Sequence, residues 1–372
     1  MIGPGPAARV ATTLLAAGLA LGCRGPRPAS VPGACTHVQA VRELRGTAIC
    51  EDAWACVRPP GGRFDRVGLH RLAPCEVVRG PVVLYLPGMH MNAELPLVEP
   101  RHDLRLYLAE GGVRAWGLDY RTHAVPPDAS PEELRALGGW TVDRFVDDAA
   151  WAAAFVRGAD RGPLFVAGFS QGAAFAYRLA SRRDSSLAGL LILDGALAPG
   201  PAAAGGGPAI DVGGSRLPFA ERQRLLDQVI ADAKGPSPVP GFPTAGAALA
   251  HILSTAPSFG GEGGLAAGTR VSEIPVLATL LRSYDRWWPR AALDGPTPRV
   301  PKPPLPVLAF ASTNMGPAWV DRVRATARAY GGPEAEVREL AGYGHLDVLV
   351  ARRATQEVFQ PALAWLDRLA GR

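Results

Sequence analysis

Leu164 Phe165 Val166 Ala167 Gly168 Phe169 Ser170 Gln171 Gly172 Ala173 Ala174 Phe175 Ala176 Tyr177 Arg178 Leu179 Ala180 decides the fold of this 372-residue chain. The stretch opens with a short apolar run, Leu164 to Ala167, of a length and composition that suit a buried strand. It turns through Gly168 to Gly172. It then continues as an alanine-rich segment that favours helix. Ser170 therefore sits between a strand and a helix, with glycine two residues to either side. A serine hydroxyl is a weak nucleophile and needs to be presented to a base. A sharp strand-to-helix turn pushes it outward. Gly168 and Gly172 let the strand and helix pass closely. The N–H of Gln171, at the helix start, faces the place where an oxyanion would form.

Gly168, Ser170 and Gly172 make a G-x-S-x-G nucleophile elbow, and through it the chain resembles the α/β-hydrolase family. The resemblance spans roughly residues 47 to 370 and implies an α/β fold: a mostly parallel central sheet flanked by helices, with a lid or cap inserted between two late strands. The α-β alternation of the chain agrees. Thr47 to Arg58 and Phe64 to Leu72 read as a hairpin. Pro81 to Leu86, Val113 to Leu118, Leu187 to Leu193, Pro306 to Ala311 and Ala335 to Leu340 read as further strands. Leu104 to Glu110, residues 132 to 137, residues 141 to 157 with Thr141 as N-cap, and Trp319 to Tyr330 read as helices. A last helix is expected from Asp347 toward Leu369. The expected layout is a core of residues 47–194 and 301–372, with a lid or cap over 195–300. In that insertion Arg222 to Ala233 and Ile274 to Trp288 are amphipathic. Tyr284, Trp287 and Trp288 either line an acyl pocket or anchor the insertion.

The resemblance assigns further roles. The loop after Leu86 carries the second oxyanion donor, so Gly88 fits and the Met89 N–H is the expected donor. Pro87 stands where the family commonly has His. His90 either touches substrate or braces this loop through hydrogen bonds, and bracing is the expectation. Asp119 and Arg121 are expected to pair with each other. A serine nucleophile needs a base and the base needs orienting. His345 lies late in the chain in a glycine-flanked loop, in the Ser, acid, His order of the family. The turn Ser312 Thr313 Asn314 Met315 Gly316, where many members carry the acid, has no carboxylate. Asp194, after the preceding strand, is the nominated acid. Asp321 and Asn314 are the alternatives. The expected reaction is cleavage of a carboxylic ester, of a lipid or other acyl group, through an acyl-enzyme that needs no metal or organic cofactor. Peptidase or acyltransferase chemistry uses the same residues. A non-catalytic envelope protein on this fold is the rival from another class.

The N-terminus reads as an export signal. Arg9 precedes an apolar run, Val10 to Gly22, too short for a stable membrane span. Ala20 Leu21 Gly22 Cys23 resembles a bacterial lipoprotein signal (residues 1–23), which implies lipidation at Cys23. An ordinary signal peptide cut elsewhere is the alternative. Arg24 then implies the outer membrane, with a periplasmic or secreted protein as the alternative. Residues 24–46 read as a tether and N-terminal extension. Cys35, Cys50, Cys56 and Cys75 number an even four outside a reducing compartment and read as two disulfides, their pairing open. A zinc site with His37 or His70 is the rival, but no C-x-x-C spacing occurs. The formal charge is +5. Its arginines are interleaved with acids, so no nucleic-acid partner is expected.

Overall fold

A computed structural model describes residues 35–44, 47–76, 79–94, 96–97, 99, 101–182, 186–197, 207–212, 217–255, 271–293, 295–301 and 303–371. The lipoprotein-like signal with Cys23 and Arg24, and most of the tether, lie outside these residues. Along the chain run β1 (Cys35–Val41), β2 (Ile49–Val57), β3 (Arg66–Pro74), β4 (Val82–Leu86), α1 (Leu104–Glu110), β5 (Arg114–Asp119) and α2 (Pro131–Leu134). Next come α3 (Val142–Ala159), β6 (Leu164–Phe169), α4 (Gln171–Ala180) and β7 (Gly189–Leu193). Between β7 and the next strand of the main sheet lie β8 (Ala209–Asp211), α5 (Phe219–Asp232), α6 (Ala245–Thr255), α7 (Ile274–Arg282) and β9 (Trp287–Pro289). The chain ends with β10 (Val307–Ser312), α8 (Pro317–Gly331), β11 (Glu336–Leu340), α9 (Asp347–Val350) and α10 (Gln360–Ala370).

Among the described residues nine strands form one sheet in the order β1-β2-β3-β5-β4-β6-β7-β10-β11. The pairs from β1 to β5 are antiparallel. All pairs from β5 to β11 are parallel. The parallel strands are apolar on both faces because helices cover both. Leu84, Val166, Ile192 and Ala309 face α3, α4 and α8. Their neighbours Val83, Phe165, Leu191 and Leu308 face α1, α10 and the segment carrying α5 to α7. Registers pair Leu86 with Gly168, Phe169 with Leu193, and Leu193 with Phe310. The carboxyl ends of β4, β6, β7 and β10 are thus brought level. The chain leaves β4 toward β5 on one side and β6 on the other. Such a crevice at strand ends is where open α/β sheets carry their sites.

The structure differs from the sequence reading in several places. Cys35–Val41, inside the stretch taken as tether and extension, is a strand paired with β2. Its partner supplies the reason, since Cys35 is bonded to Cys56 and Cys50 to Cys75. All four are therefore half-cystines, and none is a zinc ligand. Thr141 is the N-cap residue of α3, but its side chain makes no capping hydrogen bond. The expected single last helix is broken. Ala351 leaves helical geometry and bridges to Ser272. A π turn at Thr355–Phe359 then precedes α10, where Pro361 lacks an N–H for the regular ladder.

Asp119 and Arg121 do not pair with each other. The Arg121 Nε donates to Asp148 Oδ2 at 2.5 Å, and Arg121 also pairs with Asp65. Asp119 instead accepts from the Ala93 N–H at 2.6 Å and contacts His70 Nε2 at 2.8 Å. His70 could reach Asp119 only from β3, which pairs with β5 at this point. Burial alone would lower the pKa of His70, but the Asp119 and Glu51 carboxylates hold it up at about 9. His123 is likewise held at about 9, chiefly by its bond to Asp285, against the opposing effect of burial. A raised histidine stabilises the fold fully below its unfolded value of 6.5, and that contribution is lost as pH rises through about 9. The denaturant midpoint is therefore expected to fall between pH 6.5 and 9.5. His70→Gln should remove part of that slope; an unchanged slope in the variant would contradict the assignment.

Candidate active site

Ser170 follows the last residue of β6 and caps α4 with φ 53° and ψ −119°. Only tight packing on every side holds a non-glycine residue there. The glycines make room for it. A Cβ at Gly172 would lie 2.0 Å from the Leu86 carbonyl oxygen, and one at Gly168 would lie 2.6 Å from the Gly172 oxygen. Gly195, which the sequence reading passed over, is equally constrained: a Cβ there would lie 2.7 Å from the Ser170 oxygen. At Gly88 a Cβ would press on the Phe169 ring at 2.9 Å. The turn after β6 thus meets the loop after β4 on one side and the turn after β7 on the other, in each case through glycine.

Ser170 Oγ lies 2.8 Å from His345 Nε2. His345 Nδ1 lies 2.6 Å from Asp194 Oδ2. An ionised carboxylate only accepts, so Nδ1 carries the proton and Nε2 is left to accept from the serine hydroxyl. Asp194 is fully buried. Its Oδ1 accepts from the Ser312 N–H at 2.8 Å and from Trp319 Nε1 at 2.9 Å. The Asp194 carboxylate is thereby satisfied on both oxygens. Trp319 also sets its ring edge-on to His345, and Phe169 lies 4.9 Å from that ring on another side. The alternatives stand elsewhere. Asp321 is exposed and pairs with Arg324 at 2.6 Å. Asn314 donates to the Gly342 carbonyl at 2.8 Å, closing the turn beside the His345 loop.

Gln171 is the first residue of α4, so its N–H has no carbonyl partner within the helix. Its side chain donates to the Ala292 carbonyl at 3.0 Å. Met89 sits in a loop whose carbonyls are held by hydrogen bonds. The Met91 N–H donates to Gly88 O at 3.1 Å, Tyr120 Oη donates to Pro87 O at 3.0 Å, and the Asp285 N–H donates to His90 O at 2.7 Å. His90 has φ 64° and contacts the Asp285 carbonyl through Nδ1 at 3.0 Å. Burial pulls its pKa down to about 4, so its ring is neutral and donates from Nδ1. His90 braces the loop.

Of the three aromatics named in the segment between β7 and β10, the two tryptophans anchor it. Trp288 is fully buried against Tyr120, Phe145 and Phe175, so it anchors. Trp287 donates to the Pro126 carbonyl at 3.1 Å and anchors too. Tyr284 lines a cleft of about 440 Å³ with His123, Phe219 and Arg286. Among the described residues no cluster of His, Cys, Asp and Glu is arranged to hold a metal ion.

The short contact between His345 and Asp194 is open to direct observation. The Nδ1 proton of His345 is expected as a far-downfield NMR resonance. It should vanish in Asp194→Ala and survive in Asp321→Ala and Asn314→Ala. Trp319→Phe, which removes one donor to the carboxylate, should shift it. Survival of the resonance in Asp194→Ala would reassign the acid.

No family model matches the sequence, and no curated protein matches it. Among solved structures the chain is similar to a candidate lipase from Sulfolobus solfataricus, at a TM-score of 0.74 and 22% identity over 90% of this chain and 99% of that one. Overlaps with a carboxylesterase from Bacillus subtilis (14% identity, 85% of this chain and 91% of that one) and an α/β-hydrolase fold protein from Nakamurella multipartita (17%, 83% and 97%) each have a TM-score of 0.46. These lower scores add nothing to the fold. The strand order, the strand-turn-helix around Ser170 and the first of these likenesses together give the chain the α/β-hydrolase fold.

Proposed function

We propose that the protein is a serine hydrolase that cleaves a carboxylic ester, with Ser170 as nucleophile, His345 as base and Asp194 as the acid that orients it. One observation carries the reading: the unbroken series from Ser170 Oγ to His345 at 2.8 Å and from His345 to Asp194 at 2.6 Å. His345 takes the proton of Ser170 as the hydroxyl attacks the ester carbonyl. The N–H groups of Met89 and Gln171 receive the charge that develops on the carbonyl oxygen. His345 then returns its proton to the leaving alcohol. Water, activated by the same ring, attacks the acyl-enzyme and restores Ser170. Asp194 stays ionised throughout and stabilises the imidazolium. The likeness to a candidate lipase supports an ester in preference to an amide.

The segment between β7 and β10 is the cap of this site in the same proposal. Export follows from the cysteines: two disulfides among the first 75 residues suit an oxidising compartment. No helix among the described residues is long and apolar enough to cross a membrane. The proposed membrane attachment is a lipid on Cys23, in the outer membrane of a bacterial envelope.

Hydrolysis of p-nitrophenyl esters of increasing acyl length by the purified protein tests the reading. Activity is expected to peak at one range of lengths. Ser170→Ala should lower kcat by about 10⁴-fold or more. Turnover that persists in that variant would place the reaction elsewhere in the molecule.

A further inference from the structure

The cap touches both halves of the proposed machinery through the two ends of one helix. At the start of α7, Ser272 donates its hydroxyl to Asp347 Oδ1. The other oxygen of Asp347 accepts from the Gly344 N–H at 2.7 Å, next to His345. The Arg352 N–H donates to Val271 O at 2.8 Å and seals this junction. At the far end of α7, Asn92 Nδ2 donates to the Ser283 carbonyl at 2.9 Å and to Asp285 Oδ1 at 3.1 Å. Asp285 and His90 exchange a further pair of hydrogen bonds there. His90 and Asn92 lie in the loop that carries Met89. Between the two junctions α7 is apolar on its inner side, where Leu277, Ala278, Leu280 and Leu281 are buried. A packed helix of nine residues is about 13 Å of stiff material.

We infer that α7 is a strut that sets the position of the His345 loop relative to the Met89 loop, so that Ser272, Asp347 and Asn92 are positioning residues. The inference rests on the proposed hydrolase site and deepens it: the cap completes the site and does not merely cover it. Neither loop is held by the sheet alone. The His345 loop follows a strand at the sheet edge, β11; its backbone bonds back to the neighbouring Thr313–Asn314 turn, and the His345 ring alone reaches the inner strand ends, at Asp194 and Ser170. The Met89 loop has one tie to the sheet end, from Ala93 to Asp119, and its remaining polar ties run to the cap and to Tyr120. Asp347 is fully buried, and its carboxyl is pushed up to about 6 by that burial against the opposing pull of Ser272 and Gly344. A group so costly to bury in its charged form is kept by the bonds it makes.

Two substitutions more than about 10 Å apart normally act independently. A strut makes them dependent. Ser272→Ala and Asn92→Ala are each expected to lower kcat for ester hydrolysis by about tenfold with KM nearly unchanged. The double variant should also stand near tenfold, not the hundredfold of independent effects, because the strut is already released at one end. Multiplying effects would overturn the inference. Hydrogen exchange, which needs no substrate, decides separately. In Ser272→Ala the amides of residues 341–347 should exchange faster, and so should those of residues 88–93 at the opposite end. Faster exchange confined to residues 270–275 and 341–347 would overturn the strut. A protein that hydrolyses no ester but shows the two-ended exchange change keeps the strut and loses the hydrolase.

Discussion

Helix α4 crosses β4 so closely that no side chain fits at Gly172, and the rest of the site depends on that crossing. The close approach forces the chain to turn within one residue after β6, and Ser170 takes the strain with φ 53°. Three of the four described non-glycine residues with positive φ are His90, Ser170 and Asp194. They follow β4, β6 and β7, three neighbouring strands whose ends are level. Strain of this kind costs about 1–3 kcal/mol per residue and persists only where packing over-determines it. Here the packing is the pair of buried faces of a parallel sheet, which fix β4, β6 and β7 before any polar contact is considered.

Polar contacts then refine what packing has positioned. Asp194 is surrounded on both oxygens, by the Ser312 N–H and Trp319 on one side and His345 on the other. A buried carboxylate with every oxygen bonded holds a ring in one orientation. The Met89 loop is held differently, between a sheet end at Asp119 and Asp285 in the segment between β7 and β10. Each of these acids has a histidine partner, His70 or His123, that stays charged into alkaline conditions. The two sides of the site therefore rest on unlike supports: a carboxylate boxed in by a strand and a tryptophan, and a loop stretched between two ion pairs.

Local chemistry was legible in the sequence and distant pairing was not. The elbow could be read because its glycines, its serine and its flanking strand and helix lie within seventeen residues. His345 and Asp194 followed from chain order and from the lack of a carboxylate at Ser312–Gly316, and the structure brings both to Ser170. Trp319 carried no signal, since a tryptophan at the start of an amphipathic helix reads as core. Asp119 and Arg121 look like partners two residues apart, yet Asp119 ends β5 while Arg121 begins the turn beyond it, and each found its partner on another element, His70 or Asp148. The break after Val350 comes from Ser272, 79 residues upstream of its bridge partner Ala351, which no periodicity of the last helix could disclose. The strand at Cys35–Val41 was hidden because it lies exposed at the sheet edge, where its residues show no buried apolar face.

The central claim is that Ser170 is made nucleophilic by His345 and Asp194. Mass spectrometry of the intact protein after exposure to a fluorophosphonate, followed by peptide mapping, tests it most directly. One adduct on the peptide carrying Ser170 is predicted, formed far more slowly in His345→Ala. An adduct on another residue, or a rate at Ser170 indifferent to the loss of His345, would contradict the account.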